Sequence, residues 1–217
     1  MTPAPVRLGR RELLAMAVGT ALAPLWCRFA VAEGPAERAE AVVGGLAEEA
    51  WALFQSGDLD QRTRLDQLTG LLESKTDVAL LSRLVLGRHW QRLTAAQQAS
   101  YEQLFGQVVL RTLARRLDQY VNGAEGSLDQ HFRITESQPA GRQDLLVRSK
   151  VVPPTGDTVS VDWRLRMQGD QPVIIDLIVE GVSLLVTQRS EFAAVIERSD
   201  MDGLLAELRA RATATES

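Results

Sequence analysis

Apolar residues recur every three or four positions from about residue 36 to residue 121, and the period then changes to two. Over 36–56, Val42, Val43, Leu46, Ala50, Leu53 and Phe54 form one stripe, which predicts a helix that Gly57-Asp58 ends. A second stripe runs through Leu59, Leu65, Leu68, Leu71 and Leu72. A third helix is expected over about 77–92, with Leu80, Leu81, Leu84, Val85 and Trp90 inward. Thr94-Ala95-Ala96-Gln97 is a capping-box sequence. It opens a long fourth helix reaching Val121, where Asn122-Gly123 stops it. Its expected buried positions are Tyr101, Leu104, Phe105, Val108, Val109, Leu113, Leu117 and Tyr120.

From residue 131 the alternation predicts four strands, at 131–138, 143–152, 158–168 and 172–180. Pro139-Ala140-Gly141, Pro153-Pro154-Thr155-Gly156 and Gly169-Asp170 supply the turns of an antiparallel meander. In the third strand Val159, Val161, Trp163, Leu165 and Met167 share one face, and Ser160, Asp162, Arg164 and Arg166 share the other. The fourth strand is apolar on both faces. Two helices are expected after it, at about 183–198 and 202–213. The expected fold class is α+β, with helices on one face of a twisted, mainly antiparallel four-stranded sheet.

Composition narrows the function. A chain of 217 residues with 45% apolar and 24% charged residues folds into a globular domain. A net charge of −4 argues against a nucleic-acid partner, which needs a basic face. One cysteine excludes a disulfide framework and a Cys-based zinc site, and two histidines, His89 and His131, leave little material for a metal centre. No phosphate-binding loop, dinucleotide fingerprint or zinc-protease motif occurs, so neither a cofactor nor a metal is expected. Ser183 begins a helix after a strand and lacks the second glycine of a nucleophile elbow, so it reads as an N-cap. Asp176 and Glu180 share one strand face at a separation of about ten ångströms or more, wide for two groups acting on one bond. A single buried carboxylate in an apolar cup, as in a small isomerase-like enzyme, is the alternative reading. Arginines 111, 115 and 116 cluster on one helix, a pattern that binds phosphate or forms a solvated face.

Residues 1–32 read as an export signal. Arg7, Arg10 and Arg11 precede an uncharged run from Leu13 to Cys27, and Ala30-Val31-Ala32 is a small-x-small cleavage pattern. The run is short of the roughly 20 residues that span a bilayer, although an uncleaved anchor is the competing reading. Arg10-Arg11-Glu12-Leu13-Leu14 resembles the twin-arginine motif, a pattern that Sec signals share in part. Cleavage removes four arginines and one glutamate and takes the net charge from −4 to −7. The reading is a single mature domain, 33–217, monomeric and periplasmic.

Three blocks resemble the MlaC family of periplasmic phospholipid carriers, also called toluene-tolerance auxiliary proteins. They are the run from Leu84 to Thr94 with Gln97, Tyr101 and Phe105; the run from Asp176 to Leu184 with Gln188, Arg189 and Phe192; and Asp202-Gly203-Leu204. Gln171-Pro172 stands where the family often has tryptophan, and His89 stands where an aromatic is common. A hopanoid-associated branch has the same pattern. The resemblance implies a non-enzymatic shuttle with a phospholipid or hopanoid ligand. Its implied partners are an inner-membrane ABC transporter bearing an MCE-type protein and an outer-membrane lipoprotein complex.

A carrier on that pattern needs an apolar cavity between helix and sheet. Periodicity puts Phe105, Val108, Val109 and Leu113 on its helical wall, and Val161, Trp163, Leu165, Ile175, Leu177 and Val179 on its sheet wall. The same stripes would also suit an ordinary packed core.

N-terminal sequencing of protein from an envelope fraction is expected to begin at Glu33, and a chain still starting at Met1 would overturn the cleavage reading. Replacing Arg10-Arg11 by Lys-Lys separates the routes, since twin-arginine export is far more sensitive to that change than Sec export.

Overall fold

The computed structural model describes residues 34–57 and 59–216; the expected signal segment, 1–32, lies outside them. Local capping starts the first helices where the sequence places them. Glu37 accepts the Gly34 N–H ahead of α1 (Pro35–Gln55). The Asp60 carboxylate accepts from Thr63 at the head of α2 (Gln61–Ser74), and Asp77 from Leu80 at the head of α3 (Val78–Leu86). The third helix is shorter than expected, because the chain tightens into a 3₁₀ segment at Gly87–Arg92.

The long fourth helix is interrupted. Thr94 and Gln97 form the capping box of α4 (Ala95–Phe105). A π turn, Gly106–Leu110, then leads into α5 (Arg111–Val121). A π turn holds one residue more than an α turn, so the buried stripe shifts around the helix. Tyr101, Phe105 and Val108 are buried before and within it, while Leu110 at its end, and Ala114 and Asp118 after it, form the shifted stripe. Tyr120, expected inside, is exposed for that reason.

A short helix, α6 (Leu128–His131), precedes the sheet. The strands are β1 (Phe132–Pro139), β2 (Asp144–Val151), β3 (Val159–Gln168), β4 (Gln171–Val179) and β5 (Val182–Ser183), an antiparallel meander in sequence order. The sheet therefore has five strands, not four. The fifth arises because Glu180 and Gly181 both take positive φ, 48° and 80°, closing a two-residue hairpin that turns the chain back onto β4. β4 also carries a bulge. Arg164 pairs with Asp176 and Leu165 with Ile174, leaving Ile175 as the extra residue. That change of phase explains the apolar residues on both faces of β4.

The last helix, α7 (Leu184–Glu216), is broken at Ser199 and Asp200, between the two segments expected from the sequence. Asp200 has φ 55°, and its carboxylate caps the second segment by accepting the N–H groups of Asp202 (2.9 Å) and Gly203 (3.1 Å). A Cβ on Gly203 would lie 2.5 Å from the Ser199 Cβ, so the bend requires glycine there.

Two apolar cores result. One joins α1, α2 and α5 to the sheet through Val43, Leu68, Ala114, Val147 and Leu165. The other joins α3 and α4 to α7 through Leu86, Tyr101, Phe105, Phe192 and Leu208. Tyr101 is fully buried among Phe105 and Phe192, and burial raises its pKa above the ordinary tyrosine range, so it stays protonated.

One buried ion pair ties α2 to α5. Asp118 is 2% exposed, receives the Arg64 guanidinium at 2.6 Å, and accepts a longer bond from Gln61 at 3.3 Å. Removing one partner leaves a buried charge uncompensated. Arg64→Met is therefore expected to lower unfolding free energy by about 3 kcal/mol, and the double variant with Asp118→Leu to recover most of it. Urea denaturation of the three proteins checks both signs.

Candidate functional site

The two cores do not close on each other everywhere. Along their seam lies a cavity of about 190 Å³. Phe105, Val85 and Phe192 reach it from the α3–α4–α7 core, and Leu110, Ile174 and Leu177 from the sheet core. The stretch of helix across the π turn forms one wall, with Val108, Val109, Thr112 and Leu113. The bulged Ile175 and the start of α7, Leu184 and Leu185, form the opposite one. Thus the two irregularities, the extra residue in the helix and the extra residue in β4, both border the same space.

A second, smaller cavity of about 90 Å³ sits at the other end of α5. Trp51 and Phe54 of α1, Leu71 of α2, Leu117 of α5 and Trp163 of β3 line it. His131 stacks on Trp51 with ring centroids 5.0 Å apart. Its two ring nitrogens each lie 2.8 Å from a carbonyl oxygen, of Val152 and Glu125, which holds the segment before β1 against the end of β2.

Six of the ten residues placed on a cavity wall by periodicity meet at the larger cavity: Phe105, Val108, Val109, Leu113, Ile175 and Leu177. Trp163 borders the smaller one, with its indole N–H donating to Ser149 Oγ at 3.0 Å. Leu165 is enclosed in the sheet core, Val161 packs against that core, and Val179 closes the end of β4; none of these three lines either cavity. The pleat explains the difference, because the third strand's inward residues pack beneath α1 while the seam opens beside β4. The contribution of α7 was missed. Its sequence signals were Leu185 and Phe192, seven residues apart on one helix face, and the place of Leu184, Gln188 and Phe192 in the second block.

The motif blocks turn out to be joints around α7. Asp176, 8% exposed, accepts the Ser183 hydroxyl (2.5 Å) and the Leu185 N–H (2.9 Å), while Ser183 Oγ accepts from Val186 (3.0 Å). Ser183 is thus an N-cap, and both Asp176 oxygens are committed to the head of α7 rather than to chemistry in the cavity. Arg189 donates from Nε to the Leu84 carbonyl at 3.1 Å, binding α7 to the end of α3. Gln97 donates to Asp202 at 3.1 Å, binding α4 to the second segment of α7. Among the described residues no group of three His, Cys, Asp or Glu side chains could hold a metal ion, and no helix is long and apolar enough to cross a membrane.

A family model described as MlaC protein matches residues 46–210. A solved structure of a phospholipid-binding protein from Ralstonia solanacearum, in complex with a phospholipid, is similar in fold. The TM-score is 0.65 at 21% sequence identity, covering 85% of this chain and 100% of that one.

Asp176→Ala is expected to destabilise the protein by about 2 kcal/mol, the upper range for a lost helix cap. Asp176→Asn, which keeps an acceptor for Leu185, should cost less. Thermal melts of both variants check the order. A stably folded Asp176→Asn protein that lost turnover of a substrate would instead point to the buried-carboxylate enzyme.

Proposed function

The chain belongs to the MlaC family, and on that premise we propose that it is a periplasmic lipid-binding shuttle. It carries phospholipid between an inner-membrane MCE/ABC transporter and an outer-membrane lipoprotein complex, and catalyses no reaction. The observation that carries this reading is an apolar cavity at the junction of two separately closed cores.

The physical demand is large. Two acyl chains of some 14 methylenes each lose roughly 22 kcal/mol of transfer free energy if they stay in water, at about 0.8 kcal/mol per methylene. Only a deep apolar space can hold them, while the head group stays wet. A volume of about 190 Å³ is below the ~300 Å³ typical of small-molecule sites, so loading widens the seam. That widening separates apolar surfaces that the acyl chains immediately cover, and it leaves each core closed. The ligand contacts assigned to this space are Phe105, Val108, Val109, Leu113, Ile175 and Leu177, with Leu185 and Phe192 of α7.

Energy and direction come from the partners, since the chain has no nucleotide-binding motif. A mature charge of −7 also disfavours adsorption to an anionic bilayer, which attracts basic segments. Delivery therefore goes through a partner protein rather than through collision with the membrane.

Organic extraction of purified protein followed by mass spectrometry is expected to find phospholipid. Hopanoid would place the chain in the hopanoid-associated branch, and the absence of any lipid would overturn the reading. Val109→Trp fills the larger cavity and should lower co-purified lipid several-fold with a melting temperature near that of the parent. Val161→Trp, which overpacks the sheet core, should instead cost about 1–3 kcal/mol of stability.

A further inference from the structure

Most charged and polar side chains on the wall of the larger cavity are engaged, the Thr76 hydroxyl apart. Thr112 Oγ1 donates to the Val108 carbonyl at 2.6 Å, Thr187 Oγ1 to the Ser183 carbonyl at 2.9 Å, and Gln188 Nε2 to Glu191 at 3.2 Å. Asp176 is taken by the head of α7, and Arg211 pairs with Glu207. Arg116 differs. It lines the cavity and is exposed, and among the described residues it has no acidic partner and no hydrogen bond. Arg111, its neighbour in the arginine cluster of α5, is already paired with Asp66.

The position of Arg116 matches one kind of ligand. It lies three and four residues beyond Leu113 and Thr112, so its stem continues the wall of the cavity toward solvent. Its guanidinium carries five donors in a planar fork, the geometry that grips phosphate oxygens in pairs. The carboxylates on the same cavity, Asp176 and Glu191, belong to β4 and α7, and the α7 cation there, Arg211, is paired with Glu207, so an anion at the mouth is driven to the α5 side.

We propose that Arg116 is the anion-binding residue at the cavity mouth, taking the phosphate of an amphiphile whose chains run inward past Val109 to Ile175. The inference rests on the lipid-carrier reading and adds to it the side chain that holds the head group and the side of the mouth on which the phosphate lies. The shared chemistry is a phosphate ester or phosphate ion, and the experiment separates the two sources.

The test uses the mature chain, with calorimetric titration of short-chain phosphatidic acid, the diacylglycerol of the same chains, and inorganic phosphate alone. The parent protein is expected to prefer phosphatidic acid over diacylglycerol by about fivefold, the range of an exposed charge pair, with the preference shrinking as salt rises. In Arg116→Gln the ratio of the two affinities should fall to near one, and Arg116→Lys should keep part of it. An unchanged ratio in Arg116→Gln overturns the role of Arg116 and leaves lipid carriage standing, whereas inorganic phosphate binding as tightly as the lipid overturns the amphiphile as the source of the phosphate. If neither lipid binds the parent protein, the carrier reading falls and this inference falls with it.

Discussion

Between Gly106 and Leu110 the helix makes a turn with one residue too many, and most of the architecture follows from that. A continuous α-helix from Ala95 to Val121 would keep one buried stripe and serve one core. With the extra residue, α4 turns Tyr101 and Phe105 toward α7, while the end of the π turn and α5 turn Leu110 and Ala114 toward α2 and the sheet. Because the backbone is a single rod, the two cores are held at a fixed offset and cannot merge. The face of the rod between them looks into the seam through Val109, packed against the α3–α4–α7 core, and Leu113, packed against the sheet core. A π turn keeps its backbone hydrogen bonds, so the offset is obtained without breaking the helix.

The far side of the seam depends on α7, whose apolar face runs from Phe192 through Val195, Met201 and Leu204 to Leu208 and whose position polar joints fix at defined points. Asp176 holds its first turn, Arg189 ties it to the end of α3, and Asp200 caps its second segment after the bend. Directional bonds at the ends fix where the helix lies, and apolar contacts between them fill the space. On the proposed reading this division matters. Acyl chains can replace apolar contacts at similar free energy, because neither partner is directional, while the joints keep α7 in place as the seam widens. A closed core of the same size would have to be broken to accept a ligand; a seam between two cores has only to be parted.

The recurring residue blocks are accordingly explained by construction. The Glu180-Gly181 pair makes the hairpin, Ser183 caps α7, and Gly203 lets the bend pass Ser199. None of these needs to touch a ligand. The groups bordering the cavity are mostly plain hydrocarbons, which many other apolar residues could replace. The polar and glycine positions of the motif blocks therefore mark the frame, while their apolar members Phe105, Leu177 and Phe192 border the cavity.

The sequence alone determined the order and kind of the longer elements, though not of α6 or β5, because helical and strand periodicities are local and most boundaries carry their own signal. Thr94 with Gln97, Pro153-Pro154 and Gly169 are examples, and the break of the last helix near residue 200 was legible in the same way. Local pattern also placed Phe105, Val109 and Leu113 on one helical wall. It could not show the π turn, since an extra residue in a turn changes the phase of the stripe without changing its composition, and Tyr120 was placed inside on that account. Nor could it show the bulge at Ile175 or the two-residue fifth strand, both of which are matters of register with a neighbouring strand. Whether Leu165 and Val161 fill a core or border a cavity was decided only by packing. An apolar side chain has the same sequence signature in either place, and only the distance to the opposite wall distinguishes them.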